Sequence, residues 1–422
     1  MFRAGDLKRS GRLPSSRVDN ADMGHRSGEV RLRTELPYRQ CPPDRRAVVA
    51  ALAALPALAA CADGATGPSK PPHATKPSPV AAPSAEWMRA ASTTEPRSTG
   101  LDPQRLRTLD TAAKALPQLN SLIVARDGQT YLERAYRNGS LDRPANIKSA
   151  SKSVLSAVVG TAVGAGTLAL DTEVLSLLGG RPDGADPRVA DLTLEHLLSM
   201  RAGLQSTSGR NYGRWAVSED PVRHALTRPM VDVPGGRMIY STGTSHLASA
   251  VLTAAEDRST LAVARARLGD PLGITIPAWG RDPKGIYWGG NEMAMSPRAL
   301  LRIGELFRRG GEIDGERILS AEWIARSWTP VGRSRWSGDG YGLGWWLRDV
   351  RPPGARRSYH TAYAWGYGGQ MLYIVPELGI TATMLSRSAP SETRRGHVRS
   401  LHALLRDHIV PAAVEGGRAE PV

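Results

Sequence analysis

The stretch Ser149-Ala150-Ser151-Lys152-Ser153-Val154-Leu155 sets a lysine three residues after a serine. The apolar residues that follow predict a helix that begins near Ser149 and runs through Val159 into the glycine-rich segment 160–166. A serine in the first turn of a helix lies near unpaired backbone N–H groups at the positive end of the helix dipole. Lys152 returns to the same helix face one turn later, so its amine can reach the serine hydroxyl.

This pair has a chemical use if the lysine is partly buried. Burial lowers the pKa of a lysine, so that its neutral amine can take the serine proton and leave a nucleophilic oxygen. Short serine–lysine spacings are also common by chance, and the spacing alone favours Ser149 as the cap of a surface helix. Whether the pair is catalytic or Ser149 is only a helix cap depends on motifs elsewhere in the chain.

Two later segments join this pair. Tyr240-Ser241-Thr242-Gly243 lies downstream, and Ala364-Trp365-Gly366-Tyr367-Gly368-Gly369-Gln370 leads into a predicted strand. Together with the Ser149 segment they resemble the nucleophile, Tyr-x-Asn and Lys/His-Thr-Gly motifs of the serine β-lactamase-like and penicillin-binding protein superfamily, in its class C branch. The segments 192–204, 289–297 and 341–346 fit the same pattern, and order and spacing agree from about Leu101 to Pro411.

Tyr-Ser-Thr-Gly and the Gly-Gly-Gln after the last motif are most similar to 6-aminohexanoate-dimer hydrolases and related carboxylesterases. The resemblance implies that Ser149 is the acylated nucleophile, that Lys152 is its base, and that Tyr240 shuttles a proton to the leaving group. It implies an oxyanion hole formed by the backbone N–H groups of Ser149 and Tyr367. The residues we expect to bind substrate are Trp215, Thr242, Asn291, Trp365 and Gly366.

Ordinary packing explains Trp215 and Trp365 equally well. For His196 and His246 we expect packing with one satisfied hydrogen bond.

The chain also departs from the superfamily pattern. Ala364 and Trp365 stand where β-lactamases and DD-peptidases carry a Lys or His that helps to bind the substrate carboxylate. Thr242 replaces an Asn amide, which alters one pair of substrate-orienting groups. We therefore expect a small-molecule amide or ester substrate. The alternatives are a β-lactamase or DD-carboxypeptidase, and an envelope binding protein that keeps the fold without turnover. No Gly-x-Ser-x-Gly elbow of an α/β-hydrolase is visible.

The hydrophobic pattern predicts the fold class independently of the motifs. Strand patterns at 122–126 and 131–136 surround an Asp127-Gly128 turn, helical patterns dominate the middle, and strands return at 370–375 and 380–385. We expect an α/β (α+β) β-lactamase/transpeptidase-like fold, in which an antiparallel sheet flanked by helices meets a helical subdomain at the active site. The expected helices are 194–200, 221–226, 244–255, 297–309, 321–327 and an amphipathic segment at 398–409.

The N-terminal region has the pattern of an export signal. Arg45-Arg46 precede an apolar run from Ala47 to Ala60, and Leu58-Ala59-Ala60-Cys61 resembles a lipoprotein lipobox. We expect residues 1–61 to be a leader whose Cys61 is lipidated, by Sec or Tat export. Residues 62–100, rich in Pro, Ala and Ser, are the expected disordered tether, 101–412 the hydrolase domain and 413–422 a disordered tail. The alternative for the apolar run is a buried helix with an incidental cysteine.

Composition limits what else the protein can do. Both cysteines, Cys41 and Cys61, lie in the N-terminal region, so the expected hydrolase domain has no disulfide and no thiolate chemistry. The nine histidines show no metal-ligand spacing, and we expect neither a metal nor another cofactor. The net charge of +15 comes from scattered arginines without a basic stripe, so we expect no nucleic-acid partner. The expected location is the cell envelope, at a membrane, through the lipid anchor.

Overall fold

A computed structural model of the chain describes residues 100–388 and 391–416. The predicted leader, Cys61, the tether up to residue 99 and residues 417–422 lie outside the described residues. The described helices are α1 (Pro103–Lys114), α2 (Ser151–Gly164), α3 (Val174–Leu177), α4 (Leu194–Leu198), α5 (Tyr212–Ala216), α6 (Pro221–Leu226), α7 (Thr242–Glu256), α8 (Thr260–Ala264), α9 (Asp270–Leu272), α10 (Pro297–Arg308), α11 (Ala321–Ser327), α12 (Ser391–Leu404) and α13 (Val410–Gly416).

The helix starts follow from local sequence. A Ser, Thr or Asp side chain before the first turn accepts a backbone N–H, which satisfies one of the unpaired donors there. Such caps are Asp102, Thr193, Asp220, Ser241, Ser259, Ser296 and Ser320. Proline in the first turn of α1, α6 and α10 adds a residue whose missing N–H costs nothing there.

The strands form one large antiparallel sheet and two short ladders. The strands are β1 (Leu119–Arg126), β2 (Gln129–Ala135), β3 (Ala145–Asn146), β4 (Ala294–Met295), β5 (Glu312–Ile313), β6 (Glu316–Arg317), β7 (Gly332–Arg333), β8 (Gly340–Tyr341), β9 (Trp346–Val350), β10 (Tyr359–Gly366), β11 (Gln370–Val375) and β12 (Ile380–Ser386). The large sheet has the order β2-β1-β12-β11-β10-β9-β8-β7, and β3 pairs with β4 and β5 with β6. Pairing of β1 with β12 confirms that both ends of the described chain build one sheet.

Each face of the sheet is covered by a different part of the chain. On one face, apolar residues of α10 and of the helical middle pack against Ala362, Leu372 and Ile374. On the other, α1 and the C-terminal helices cover Met371, Tyr373 and their neighbours. The expected fold class, a sheet flanked by helices with a helical region between its first and last strands, is confirmed. Within residues 100–388 and 391–416, no helix is long and apolar enough to span a bilayer.

Several predicted elements need correction. Helix α2 begins at Ser151, because Ser149 lies in a 3₁₀ turn over Lys148–Ala150, and it continues past Gly160. Gly160 serves packing, since a Cβ there would lie 2.3 Å from Nε1 of Trp323. The tail prediction from residue 413 is wrong for its first residues, because α13 runs to Gly416 and Ala413 is buried.

Candidate active site

Ser149 is held in a constrained turn between β3 and α2. Lys148, directly before it, has φ +53°, a left-handed conformation that most side chains avoid. The Asn146 side chain accepts the Lys148 N–H at 2.8 Å, and the Ser151 hydroxyl donates to the Lys148 carbonyl at 2.5 Å. Ile147 N–H donates to Met293 O at 2.9 Å, which fastens the turn to the segment before β4. A strained backbone fixed by surrounding bonds is common at functional sites.

Lys152 lies on α2 with 3% of its surface exposed. Its Nζ is 3.2 Å from Ser149 Oγ and donates to the Gly290 carbonyl at 2.6 Å. Burial lowers the pKa of Lys152 to about 7, because a charged amine loses its hydration here. The amine is therefore neutral in a large fraction of molecules at neutral pH and lies within reach of the serine proton.

Tyr240 completes the group. Its ring lies 4.9 Å from Lys152 Nζ and stacks on Trp346 with the ring centres 5.5 Å apart. Burial raises the pKa of Tyr240 to about 12, opposed by a hydrogen bond from the Ser149 hydroxyl. Tyr240 thus keeps its proton at neutral pH, which suits it to pass a proton and leaves Lys152 as the stronger candidate for the base.

A ladder of hydroxyl groups holds the Tyr240 segment beside residues 206–208. Ser206 Oγ donates to the Tyr240 carbonyl at 2.7 Å, and Thr207 N–H donates to Ser241 Oγ at 3.2 Å. Ser208 Oγ accepts the Thr242 N–H at 2.9 Å and hydrogen-bonds the Thr242 hydroxyl at 2.9 Å. These bonds fix the backbone from the Tyr240 carbonyl to Thr242 and so help to set the direction of the Tyr240 side chain.

The end of β10 lies against the turn that carries Ser149. A Cβ on Gly366 would lie 2.1 Å from the Ile147 carbonyl oxygen, so only glycine permits this approach. Trp365, next to it, is 36% exposed and lies 5.9 Å from Trp346, centre to centre. Tyr367 follows in the turn between β10 and β11 and is 49% exposed. The two segments that carry the predicted oxyanion-hole N–H groups are therefore neighbours.

Two predicted substrate-binding residues have different surroundings from those expected. Trp215 is fully buried, its indole N–H donates to the Pro221 carbonyl at 3.0 Å, and its ring packs on Trp288. A buried ring of this kind cannot touch a substrate, so the prediction for Trp215 is corrected to core packing. Thr242 is 5% exposed, and its hydroxyl already binds Ser208.

Asn291 follows Gly290 in the chain, and two unpredicted residues, Tyr212 and Ser208, bond to predicted site residues. Asn291 is buried next to Gly290 and donates from Nδ2 to the Tyr212 hydroxyl at 2.5 Å. Sequence reasoning missed Tyr212 and Ser208, since neither belongs to a recognisable motif. It also missed the role of the Gly290 carbonyl, although the segment 289–297 fits the superfamily pattern. Within the described ranges, no group of three or more His, Cys, Asp or Glu residues could hold a metal ion.

Comparison with solved structures shows the same architecture. A penicillin-binding protein homologue from Caulobacter crescentus matches with a TM-score of 0.55 and 17% identity, over 73% of this chain and 99% of that one. A protein assigned as a 6-aminohexanoate-dimer hydrolase, from Bacillus anthracis, gives 0.55 and 15% over 77% and 87%. EstCE1, described as a hydrolase with promiscuous acyltransferase activity, gives 0.57 and 17% over 71% and 98%.

No curated protein matches the sequence. The family model described as Beta-lactamase matches residues 112–406. This range contains Ser149, Lys152, Tyr240 and the end of β10. Because the match spans well over half of the chain, the protein belongs to the Beta-lactamase family.

Proposed function

We propose that this protein is a serine hydrolase that cleaves an amide or ester through an acyl-enzyme on Ser149. The observation that carries the proposal is the buried amine of Lys152, 3.2 Å from Ser149 Oγ, with a pKa lowered to about 7. Burying a lysine amine costs solvation energy, and a lysine buried in this way is typical of a catalytic base.

The proposed reaction has two halves. Neutral Lys152 takes the Ser149 proton, and Ser149 Oγ attacks the substrate carbonyl carbon. The N–H groups of Ser149 and Tyr367 stabilise the resulting oxyanion. Tyr240, which keeps its own proton at neutral pH, relays a proton to the leaving amine or alcohol as the carbonyl bond to it breaks. Water then attacks the acyl-enzyme with the same groups in reverse, releasing the acid and free Ser149.

The walls of the site support an amide or ester substrate over a β-lactam. Ala364 is fully buried and Trp365 is apolar, so neither supplies the cation that the corresponding β-lactamase motif uses for a carboxylate. The exposed rings of Trp365 and Tyr367 offer contact area to an apolar substrate. The descriptions of the Bacillus anthracis protein and of EstCE1 are compatible with this choice.

A β-lactamase or DD-carboxypeptidase is the second candidate, and Arg394 favours it. Its guanidinium lies 4.1 Å from the ring centre of Tyr367 and donates to the Tyr367 hydroxyl. A cation at this rim could take the substrate carboxylate that β10 leaves without a partner. Reaction with fluorescent penicillin that is lost in Arg394→Gln, while ester turnover is kept, would favour this candidate.

The proposal is tested by labelling with a fluorophosphonate and by hydrolysis of p-nitrophenyl esters. We expect Ser149→Ala to abolish both. Ser156→Ala is the matched control, because Ser156 lies on α2, the helix that follows Ser149, and its hydroxyl donates to Leu343 O at 2.6 Å and not to the lysine amine. Labelling that survives in Ser149→Ala, or absence of label and turnover in the wild-type protein, would contradict the proposal.

We also propose that the protein is exported and anchored to a membrane through a lipid on Cys61. The lipobox-like segment 58–61 and the polar stretch after it support this. Wild-type protein is then expected in the membrane fraction and Cys61→Ser in the soluble fraction, with Cys41→Ser as the control. Equal fractionation of all three would rule the anchor out.

A further inference from the structure

A buried histidine–carboxylate pair lies behind the candidate active site. His246, on α7, and Asp282 have fully buried side chains, and His246 Nε2 is 2.9 Å from Asp282 Oδ2. The other oxygen of Asp282 accepts the N–H groups of Lys284 and Ile286, each at 2.9 Å. Burial alone would raise the pKa of Asp282, but the hydrogen bonds from His246 and from Ile286 N–H hold it below its usual value. The carboxylate thus organises the turn at 282–286.

The histidine connects this turn to the next part of the loop. Its Nδ1 accepts the Gly289 N–H at 3.4 Å, so Nε2 carries the proton and donates to Asp282. Two tryptophans enclose the ring, Trp288 at 4.8 Å and Trp215 at 5.7 Å between centres. A Cβ on Gly289 would lie 2.4 Å from the Ser245 carbonyl, so this part of the loop lies directly on α7.

The same loop ends at the catalytic lysine. Gly290 follows Gly289, and its carbonyl accepts an N–H from Lys152 at 2.6 Å. A Cβ on Gly290 would lie 3.1 Å from Lys152 Nζ and 3.0 Å from side-chain carbons of Thr242 and Ser245. Gly289 and Gly290 therefore pack between α7 and the Lys152 amine, and any shift of Gly289 would move the Gly290 carbonyl.

We infer that His246 and Asp282 are positioning residues for Lys152: by fixing Gly289 they keep the Gly290 carbonyl where it accepts one N–H of the amine and turns the nitrogen lone pair toward Ser149 Oγ. This inference rests on the proposed function. It explains why a histidine with no place in the motifs is enclosed and paired, and it assigns to the pair an effect on the base rather than on substrate contacts.

Asp282→Asn tests the inference with little change in shape. If the Asn oxygen keeps the bonds to the turn at 284–286, its NH₂ group faces His246 and forces the imidazole proton onto Nδ1. That proton then opposes the Gly289 N–H, and the bond to the loop is lost. His246→Phe, a second variant, keeps a ring between the tryptophans and removes both hydrogen bonds.

Two measurements on full-length protein report on the base. With ¹³C-labelled lysine, NMR follows the titration of Lys152, assigned by its absence in Lys152→Arg. We expect the Lys152 pKa to rise by about one unit or more in both variants. A loosened loop admits water in place of the fixed carbonyl, and water hydrates the charged form of the amine. The rate of fluorophosphonate labelling at pH 7 should fall about tenfold, with its pH midpoint shifted upward by the same amount.

His402→Gln is the matched control. His402, half-buried on α12, hydrogen-bonds the Tyr373 hydroxyl at 3.0 Å, and α12 covers the sheet face away from the helical middle. It should leave the Lys152 titration unchanged. A folded Asp282→Asn or His246→Phe protein whose Lys152 titration matches wild type would overturn the inference. The NMR titration needs no turnover, whereas failure of Ser149 to react in wild-type protein would refute the proposed function instead.

Discussion

Strand β10 borders two polar clusters, and the environment of the cationic side chain differs between them. At its Gly366 end lies Lys152, with one carbonyl and one hydroxyl group as partners. Farther along, Tyr363 donates to Asp339 at 2.6 Å, and Arg348 forms two bonds to the same carboxylate at 2.8 and 3.1 Å. Burial alone would lower the pKa of Arg348, but the hydrogen bonds that it donates to Asp339 keep it above its usual value. A partly buried cation that is paired with a carboxylate stays charged and supports the fold, whereas a buried amine without a carboxylate can act as a base.

Exchanging the two cations should separate these roles. An arginine cannot give up its proton near neutral pH, so we expect Lys152→Arg to slow ester hydrolysis by about 10³-fold or more. Arg348→Lys should leave turnover per folded molecule within about threefold, because the Asp339 cluster takes no part in the reaction. Equal losses of activity in steady-state assays of both variants would show that the clusters are not functionally distinct.

Asp339→Asn should be the most destabilising of the conservative changes. It leaves Arg348 partly buried without its counterion, which we expect to cost about 3 kcal/mol of the free energy of unfolding. The matched control is Asp349→Asn, which breaks an exposed pair with His360 and should cost at most about 0.5 kcal/mol. Urea denaturation measures both, and a loss below that of the control would contradict the structural role of the cluster.

Lys152→Met should raise stability while it removes activity. The folded-state pKa of Lys152 is lowered from 10.5 to about 7. Stability is therefore lost as pH falls from about 10.5 to about 7, and below that the penalty is complete. Removing the amine should add about 2 kcal/mol at pH 7, after the cost of leaving the Gly290 carbonyl without a donor. Denaturation curves at pH 7 and pH 10 test this, since the gain should shrink at the higher pH.

Ser208→Ala should have the smallest effect. It removes the hydrogen bonds to Thr242 and should cost about 1 kcal/mol of stability. We expect a fall of a few-fold in kcat, because Tyr240 loses part of its backbone support. Ser176→Ala, whose exposed hydroxyl donates to the Glu173 carbonyl three residues earlier, serves as the control. An unchanged kcat in Ser208→Ala would show that the ladder supports the fold alone.

The sequence predicted the parts of this account that depend on local pattern. The Asp127-Gly128 turn was predicted from its residues, and both adopt the positive φ values, 50° and 84°, that such a hairpin needs. Helix α6 and strand β11 have the predicted bounds. Ser149, Lys152 and Tyr240 were brought together by motif and spacing, and the structure places them in contact.

What the sequence could not provide depends on contacts between distant segments. The carbonyl of Gly290 has no side chain that could mark it, and Ser208 meets Thr242 only after folding. Trp215 is a predicted substrate-binding residue for which packing was an equal alternative, and the fold encloses it between α6 and Trp288. Strand β10 was missed because its small and aromatic residues show no clear alternation in the sequence. Only its pairing with β9 and β11 defines it as a strand.

The central claim is that neutral Lys152 activates Ser149. It is tested most directly by the rate at which a fluorophosphonate acylates the protein between pH 5 and 10, with the modified residue located by peptide mass spectrometry. The account predicts label on Ser149, a rate that rises with pH through a midpoint near 7, and loss of this reaction in Lys152→Met. Label on another residue, or a Ser149 reaction that persists without the lysine, would contradict it.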